Sequence, residues 1–431
     1  MEKNHKKVIV EISRVVLGLV FIFSGFVKAV DPWGSAYKIV DYFEAFEFTE
    51  LNPFAIPLAF FQIAVEFGVG VCLLAGIYRR INSILALAIM LFMTPLTLYI
   101  AIANPVQDCG CFGDALVVSN WQTFYKNIFL LTAAIFVFLW YRLITPFFTI
   151  GTRFSAALWI YLFIVGVSCY CIYYLPILDF RPYKVGVNIP EKMEFPENAE
   201  PHRYETLLIY SKDGKQKKFT IHNYPQDDDT WTFVDSEPRL IKKGYEPPIH
   251  DFSITNDEGD DITDIVLSNP SYTFLLIAYK LGIAKDANVD KINDIYDFSQ
   301  IKGYDFYAIT SSLQDEIQEW IENTGAEYPF CTMDEITLKT IIRSNPGLLL
   351  IKDGTIINKW PNTRLPDMDE INILTDEING ENVPAVHNFR TVFLLTLFFI
   401  VPLFGLFLLD FFNHGKSRRL KKSEENISTT V

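Results

Sequence analysis

Six long apolar stretches constrain the fold of this chain more than any other feature. They cover residues 8–30, 54–77, 81–103, 124–141, 154–178 and 389–412. Crossing a hydrocarbon core of about 30 Å takes roughly 20 helical residues. Half of the 431 residues are hydrophobic, which exceeds the content of an ordinary soluble enzyme of this size. The sequence therefore predicts an α-helical membrane bundle with six transmembrane helices.

The first stretch is the most polar of the six, since it contains Arg14 and Lys28. A buried amphipathic helix is the alternative interpretation. A removable signal sequence is disfavoured, because no small-residue cleavage site follows the stretch. We therefore keep it as a span.

Lysine and arginine residues set the expected orientation. They cluster at the N-terminus, at Arg79 and Arg80, between Arg142 and Arg153, and in the tail 416–422. Cytoplasmic loops carry this excess of basic residues. We therefore expect a protein of the cytoplasmic membrane with both termini on the cytoplasmic side. Residues 31–53, 104–123 and 179–388 are then extracytoplasmic, in the periplasm.

Net charge is concentrated in one segment. Residues 180–388 contain 37 acidic and 20 basic residues, whereas the whole chain has a net charge of −14. An acidic balance favours solubility and gives no basic surface for nucleic acid. The expected partners are the lipid bilayer and an extracytoplasmic protein, with no nucleic acid.

The stretch DCGCFGDAL at 108–116 carries the candidate chemistry. A closed zinc site needs about four ligands, and Cys109 and Cys111 have only Asp108 and Asp114 nearby, so no metal is expected. A Cys109–Cys111 redox couple is favoured, because Gly110 gives a tight ring backbone freedom and strained disulfides are labile. A structural disulfide to Cys169 or Cys171 remains the alternative.

Four cysteines lie outside the 108–116 stretch. Cys169 and Cys171 point in different directions on a helix, so one could exchange electrons with the loop pair, or both could be buried apolar residues. Cys72 is expected to be a small core residue. Cys331 precedes a predicted helix, whose N-terminus would lower its pKa, although isolated cysteines are usually inert.

Three charged residues fall in or beside the apolar stretches. Arg14, Lys28 and Glu66 are expensive in lipid and should face the bundle interior and pair with one another. Such a polar pocket predicts a binding site for a quinone head group. The alternatives are a purely structural ion pair and snorkelling of Lys28 to the interface.

Five segments follow from these patterns. Residues 1–150 form a four-helix membrane unit, and 151–179 a fifth span. Residues 180–249 contain strand-like runs and predict a β-rich linker or subdomain. Residues 250–388 alternate strand and helix and end in a hairpin turning at Asp353 and Gly354, which predicts an α/β domain. Residues 389–431 form the sixth span and a basic tail.

The membrane unit resembles a known family. The stretches RVVLGLVFIFSGFVKAVDP (14–32), QIAVEFGVGVCLLAG (62–76) and NPVQDCGCFGDALVVSNWQTFYKNIFLL (104–131) together resemble the DoxX-like/MauE family, most specifically in CGCFGD followed by W-x-x-x-x-K-N. The resemblance implies a four-helix bundle associated with extracytoplasmic disulfide chemistry, methylamine dehydrogenase maturation being the case of MauE. It implies that Cys109 and Cys111 are the redox pair.

Residues 250–388 resemble the thioredoxin and peroxiredoxin folds. The segment PPIHDFSITNDEGDDITD (247–264) is similar to a peroxiredoxin N-terminal segment, and Asn345–Pro346 stands where thioredoxins carry a cis-proline. After the strand YTFLLIAYK, however, the sequence LGIAKDANVDK has no C-x-x-C. We therefore expect a degenerate domain that docks a partner in the groove beside Pro346.

These observations predict a membrane thiol–disulfide oxidoreductase. Cys109 and Cys111 would exchange disulfides with an extracytoplasmic thiol protein, with electrons passing to or from a quinone, by way of Cys169 or Cys171. The main alternative is a non-enzymatic scaffold or assembly factor whose outer domain binds a partner. A transporter is the third hypothesis, although no interrupted helices in symmetric positions support it.

Overall fold

The computed structural model describes residues 2–378, apart from residues 107, 197, 202, 213, 227, 229 and 243, and residues 388–428. Residues 379–387, which the sequence assigned to the end of the α/β domain, lie outside the described residues. The helices are α1 (Glu2–Val30), α2 (Pro32–Ala45), α3 (Ala55–Ala75), α4 (Arg79–Ala103), α5 (Asn120–Trp140), α6 (Arg153–Tyr173), α7 (Ile189–Met193), α8 (Thr263–Leu267), α9 (Val289–Lys302), α10 (Gln314–Thr324), α11 (Glu335–Ile341), α12 (Met368–Ile378) and α13 (Asn388–Ser428). The strands are β1 (Arg203–Lys212), β2 (Lys215–Thr220), β3 (Thr232–Lys242), β4 (Tyr272–Ala278), β5 (Asp305–Thr310), β6 (Phe330–Thr332), β7 (Gly347–Lys352) and β8 (Thr355–Pro361).

The six predicted spans are confirmed as long apolar helices, namely α1, α3, α4, α5, α6 and α13. Large aromatic side chains such as Phe61, Phe92 and Phe129 lie on their outer surfaces. A helix in lipid satisfies its backbone internally and presents apolar side chains outward. The outward aromatics are therefore the faces expected to contact the bilayer.

Close packing of α1 against α3 forms the centre of the bundle. A Cβ atom at Gly25 would lie only 2.6 Å from the backbone nitrogen of Phe67 and 2.9 Å from its Cα. Small residues allow such approach between membrane helices, where packing replaces the hydrophobic effect. The last span joins this centre through α6, since the rings of Phe163 and Phe399 lie 4.6 Å apart.

The two ends of the bundle differ in chemistry. At one end the basic connections meet, as Arg79 Nη1 donates to the Ile144 carbonyl at 2.6 Å. At the other end lies the connection between α4 and α5, residues 104–119, which we call the Cys loop. We call this second end the loop end; α2 also lies there.

The helix α2 was not predicted, because residues 31–53 read as an external loop. Asp31 caps it by accepting a hydrogen bond from the Gly34 backbone at 2.9 Å, and Pro32 occupies its first turn. Its buried face packs Ala36 and Ile39 against the start of α3. Pro at the first helical position after an Asp cap is a helix-start signal.

A small antiparallel sheet with strand order β2-β1-β3 confirms the three strands predicted in the β-rich stretch. The segment before it packs elsewhere. Gly186 and Ile189 donate backbone hydrogen bonds to the Ile356 and Gly354 carbonyls, both at 2.8 Å. Residues 183–189 therefore belong with the α/β domain rather than with the small sheet.

The α/β domain is built on a five-stranded sheet of order β6-β5-β4-β7-β8. Strands β4, β5 and β6 are parallel, β7 pairs antiparallel with β4, and β8 pairs antiparallel with β7 and so runs in the direction of β4. Helices cover both faces, so every residue of β4 is buried, as expected for a doubly covered sheet. With the cis peptide bond between Asn345 and Pro346 at the start of β7, this arrangement confirms the predicted thioredoxin-like fold.

We predict that Gly25→Ala destabilises the bundle, because the added methyl group meets the rigid backbone of Phe67. Overpacking of this kind costs about 1–3 kcal/mol. Thermal unfolding of the purified protein in detergent measures the effect. Gly166→Ala is the matched control, since nothing lies within 4 Å of its Cβ position; equal melting temperatures for the two variants would contradict the packing described.

Candidate functional site

The Cys loop has a backbone that its sequence dictates. The Asp108 side chain accepts a hydrogen bond from the Gly110 backbone at 2.8 Å, and Gly110 adopts a φ of +63°. A Cβ atom at Gly110 would also lie 3.0 Å from Cγ of Lys38. Only glycine meets both demands at low cost, so the D-C-G-C stretch forms a tight turn with the two cysteines on either side.

The turn brings the two sulfur atoms together. Sγ of Cys109 and Sγ of Cys111 lie 2.8 Å apart as free thiols and share a hydrogen bond. Cys109 is buried and Cys111 is half-buried. A disulfide bond is about 2.05 Å long, so a small movement would join them. The predicted pairing of Cys109 with Cys111 agrees with this geometry.

The two thiols differ in acidity. The hydrogen bond from Cys111 lowers the pKa of Cys109 to about 6, against the effect of burial. The same hydrogen bond and burial raise the pKa of Cys111 well above the ordinary thiol value. Near neutral pH the pair therefore consists of one thiolate and one thiol. A thiolate is the nucleophile in disulfide exchange, so the direction of these shifts favours Cys109 for that role.

Two side chains in the first turns of α5 surround Cys109. The Thr123 hydroxyl is buried, makes no hydrogen bond to the described residues, and lies close enough to Cys109 to lower the pKa of that thiol. The Lys126 charge acts in the same direction, and its Nζ lies 4.1 Å from the centre of the Phe112 ring. The W-x-x-x-x-K-N motif thus supplies a cation beside the pair.

The backbone of the pair is held from both sides. The Tyr42 hydroxyl of α2 donates to the Cys109 carbonyl at 3.0 Å. Ser24 Oγ of α1 lies 2.7 Å from the Cys111 carbonyl and 2.8 Å from Glu66 Oε2. A hydroxyl has one proton, so Ser24 donates to one of these two acceptors at a time. The loop is therefore anchored to α1 and α2.

An ion pair inside the bundle supports the Ser24 anchor. Lys28 Nζ lies 2.8 and 2.7 Å from the two carboxylate oxygens of Glu66 and 3.1 Å from Ser24 Oγ. Gln62 donates to Glu66 Oε1 at 2.9 Å. Lys28 is only 5 % exposed, so it pairs internally and does not snorkel. The predicted pairing of Lys28 with Glu66 is confirmed.

The prediction that Arg14 joins this pocket is wrong. Its Nε lies 2.5 Å from Glu11 Oε2, and its Nη1 donates to the Thr145 carbonyl at 3.4 Å, at the opposite end of the bundle. Fourteen helical residues separate Arg14 from Lys28, about 21 Å along α1. Arg14 is therefore satisfied by the connection between α5 and α6.

The remaining membrane cysteines lie away from the loop. Cys169 is exposed on α6, whereas Cys171 is buried in an apolar cluster with Cys72 and Phe67. Among the described residues, no hydrogen bond joins Cys169 or Cys171 to the loop pair. Electron transfer by way of these two cysteines stays a prediction.

Two predictions in the thioredoxin-like domain have different outcomes. Cys331 lies on β6, four residues before α11, and burial raises the pKa of its thiol to about 11. This raised pKa agrees with the interpretation of Cys331 as an isolated, unreactive cysteine and not with activation by a helix N-terminus. Pro346 is cis, as expected, but buried; its role in binding a client stays a prediction.

A cavity of about 520 Å³ lies between the membrane unit and the thioredoxin-like domain. Its lining includes the loop backbone at Gly110 and Gly113, Lys28 of α1, and Lys339 and Arg343 of the domain. Sequence reasoning missed the contributions of α2, Thr123 and Arg343 to this region. Only the Asp31–Pro32 helix start and the W-x-x-x-x-K-N motif could have indicated the first two.

One family model matches most of the membrane unit. Residues 6–140 match the family described as Methylamine utilisation protein MauE. The membrane unit is MauE-like. Residues 204–243, which contain the small sheet, match a domain of unknown function. No curated protein matches the chain.

The thioredoxin-like domain is similar to solved structures. One is the thioredoxin domain of a thiol–disulfide oxidoreductase from Bacteroides vulgatus (15 % identity, 30 % of this chain and 93 % of that one, TM-score 0.24). A second is a protein from Bacteroides thetaiotaomicron described as a disulfide isomerase (17 % identity, 33 % of this chain and 91 % of that one, TM-score 0.24). A third is a protein from Neisseria meningitidis described as a thioredoxin (15 % identity, 32 % of this chain and 95 % of that one, TM-score 0.26).

We predict that Cys109 alkylates with a midpoint near pH 6 in the reduced protein, since its thiolate fraction rises through that pKa. Cys111 should stay unmodified until much higher pH. Replacing Cys111 with Ala removes the hydrogen bond and should move the Cys109 midpoint upward. Mass spectrometry after timed iodoacetamide labelling measures both, with Cys331 as the internal unreactive thiol. Identical midpoints for Cys109 and Cys111 would refute the asymmetry.

We also predict that Thr123→Val and Lys126→Gln each raise the pKa of Cys109, because each removes a group that stabilises the thiolate. Alkylation at pH 6.5 should slow by several-fold, and Lys126→Arg should restore most of the rate. Thr132→Val, at an exposed threonine further along α5, is the matched control. An unchanged alkylation profile in all variants would show that α5 does not activate the pair.

Proposed function

We propose that this MauE-like protein is a membrane thiol–disulfide oxidoreductase that acts through Cys109 and Cys111. The observation that supports the proposal most strongly is the 2.8 Å sulfur pair with opposite shifts in thiol pKa. A purely structural disulfide does not require that one of its two cysteines, in the reduced form, be stabilised as a thiolate beside the other. The thioredoxin-like domain cannot replace the pair, because Cys331 is its only cysteine.

The proposed reaction is a two-step exchange with the disulfide of a client protein. The Cys109 thiolate attacks one client sulfur, so the client S–S bond breaks, a mixed disulfide forms, and the other client sulfur leaves as a thiolate. Cys111 then loses its proton and attacks Cys109, which releases the second client sulfur. The pair ends as a disulfide and the client as a dithiol, two electrons having passed to the client. Every step is reversible.

The proposed client is an extracytoplasmic protein. The basic residues at the end opposite the Cys loop favour a cytoplasmic location for that end, which puts the loop and the thioredoxin-like domain in the periplasm. Disulfides persist in that compartment. The acidic balance of residues 180–388 agrees with a soluble periplasmic segment.

In the reverse direction a client dithiol becomes a disulfide and reduces the pair, and a quinone is then the proposed electron acceptor, because it takes up the two electrons and two protons of the reduced pair and moves in the bilayer. Lys28 lines the 520 Å³ cavity, and an ammonium group can donate to a quinone carbonyl. Val27 and Leu178 supply apolar lining. This volume lies within the range of ligand pockets, about 300–1,000 Å³. Lys28 and these apolar side chains are the observations that support the quinone proposal.

We predict that the double substitution Lys28→Met and Glu66→Met slows reoxidation of the pair by menadione at least tenfold. Replacing both partners avoids leaving a buried unpaired charge. Exchange with a small disulfide should continue, since the sulfurs remain. Lys184→Met, at an exposed lysine outside the cavity, is the control. Unchanged reoxidation would exclude this network from quinone binding.

The decisive test of the function is trapping of the mixed disulfide. Cys111→Ser should accumulate a larger, thiol-sensitive species, because Cys109 attacks but nothing resolves the bond. Cys109→Ser should accumulate less of this species, because burial still raises the pKa of the remaining thiol, Cys111. Non-reducing gels of acid-quenched membranes and mass spectrometry reveal the species, with Cys72→Ser as the control. Trapping by neither variant would favour the scaffold alternative.

A further inference from the structure

A buried arginine lies at the contact between the thioredoxin-like domain and the membrane unit. Arg343 lies just after α11, three residues before Pro346, and is 7 % exposed. Its Nε lies 3.1 and 3.0 Å from the two carboxylate oxygens of Asp31, and its Nη2 lies 2.8 Å from Asp31 Oδ2. The planar guanidinium group of arginine can donate two parallel hydrogen bonds to one carboxylate, which fixes the relative orientation of the two groups. Asp31 is the N-cap of α2, so the contact crosses from one unit to the other.

The arginine also reaches the Cys loop. Its Nη2 lies 3.3 Å from Oδ2 of Asp114, three residues after Cys111. On the other side of the pair, Asp108 accepts a hydrogen bond from Lys38 of α2 at 3.0 Å. Carboxylates that flank the two cysteines therefore tie the loop to α2 at one side and to the thioredoxin-like domain at the other.

The membrane unit is shaped to receive this side chain. A Cβ atom at Gly34 would lie 2.9 Å from Arg343 Nη2 and 2.5 Å from Asp31 Oδ2. Tyr37, one helical turn further, faces the guanidinium at 5.3 Å from its ring centre. Lys339 lies 5.0 Å from the same ring and 5.2 Å from that of Tyr279, at the end of β4.

The electrostatics of the contact favour a permanent ion pair with Asp31 and a weaker link to Asp114. Burial alone would raise the pKa of Asp31, but the charges of Arg343 and Arg181 hold it below its usual value. Burial raises the pKa of Asp114, which has a single, longer contact with Arg343. Asp31 is therefore the anchor, and Asp114 transmits the position of the domain to the loop.

We propose that Arg343 is a positioning residue for disulfide exchange at Cys109 and Cys111. The thioredoxin-like domain, which has no cysteine pair of its own, uses the surface beside its cis-proline to hold the Cys loop of its own chain. This inference rests on the proposed function. It also predicts that the client does not bind where Arg343 contacts α2, because that surface is already occupied.

The test compares Arg343→Gln with wild type in the full-length reduced protein in detergent, using oxidised glutathione as the probe. The exchange rate should fall at least tenfold. The pH midpoint of Cys109 alkylation should rise from about 6 toward the ordinary thiol value, because a released loop no longer keeps the two sulfurs together. Hydrogen exchange in α2 should accelerate. Arg364→Ala, at an exposed arginine of the same domain, is the control and should match wild type.

Two further variants keep the test valid if Arg343→Gln misfolds. Asp31→Asn combined with Arg343→Gln removes the unpaired buried charge, and so should recover stability but not the exchange rate. Gly34→Ala displaces the guanidinium while retaining every charge, and should also slow exchange. If folded variants exchange at the wild-type rate with an unchanged alkylation midpoint, the positioning role is refuted. If wild-type protein does not exchange at all, the proposed function fails instead.

Discussion

The buried ion pair between Lys28 and Glu66 is the interaction on which the loop end depends. Charged groups in a low-dielectric bundle must be paired and hydrogen-bonded, because burying an unpaired charge there costs roughly several kcal/mol of folding free energy. Lys28, Gln62 and Ser24 satisfy the Glu66 carboxylate. Because Ser24 also contacts the Cys111 carbonyl, the electrostatic demand of the bundle interior fixes the backbone beside the reactive sulfurs.

The chain divides chemistry and architecture between two units. The MauE-like unit holds both cysteines, the cation of Lys126 and the hydroxyl of Thr123, which together form the environment of a reactive thiol. The thioredoxin-like domain retains the sheet and the cis-proline but has only the inert Cys331. Its contact with the membrane unit runs through Arg343 and Asp31. The domain is thus attached to the loop close to its cis-proline.

The features that sequence could predict are those with local causes. The length of the apolar stretches predicts the spans, strand-like apolar runs predict the strands, and the D-C-G-C turn follows from Gly110 and its neighbours. The features it missed depend on contacts between distant segments. Arg14 pairs with Glu11 and Thr145 rather than with Glu66, and Arg343 meets Asp31 across 312 residues. No local pattern distinguishes these arginines from solvated ones.

The oxidation state of Cys109 and Cys111 in the native membrane is the most direct measurement of the central claim, that the pair is a cycling redox couple. Acid-quenched membranes are alkylated with a mass-tagged maleimide before and after the quinone supply is cut. The account predicts a partly oxidised pair whose oxidised fraction changes when quinone is withdrawn. A pair that stays fully oxidised, or fully reduced, under both conditions would contradict it.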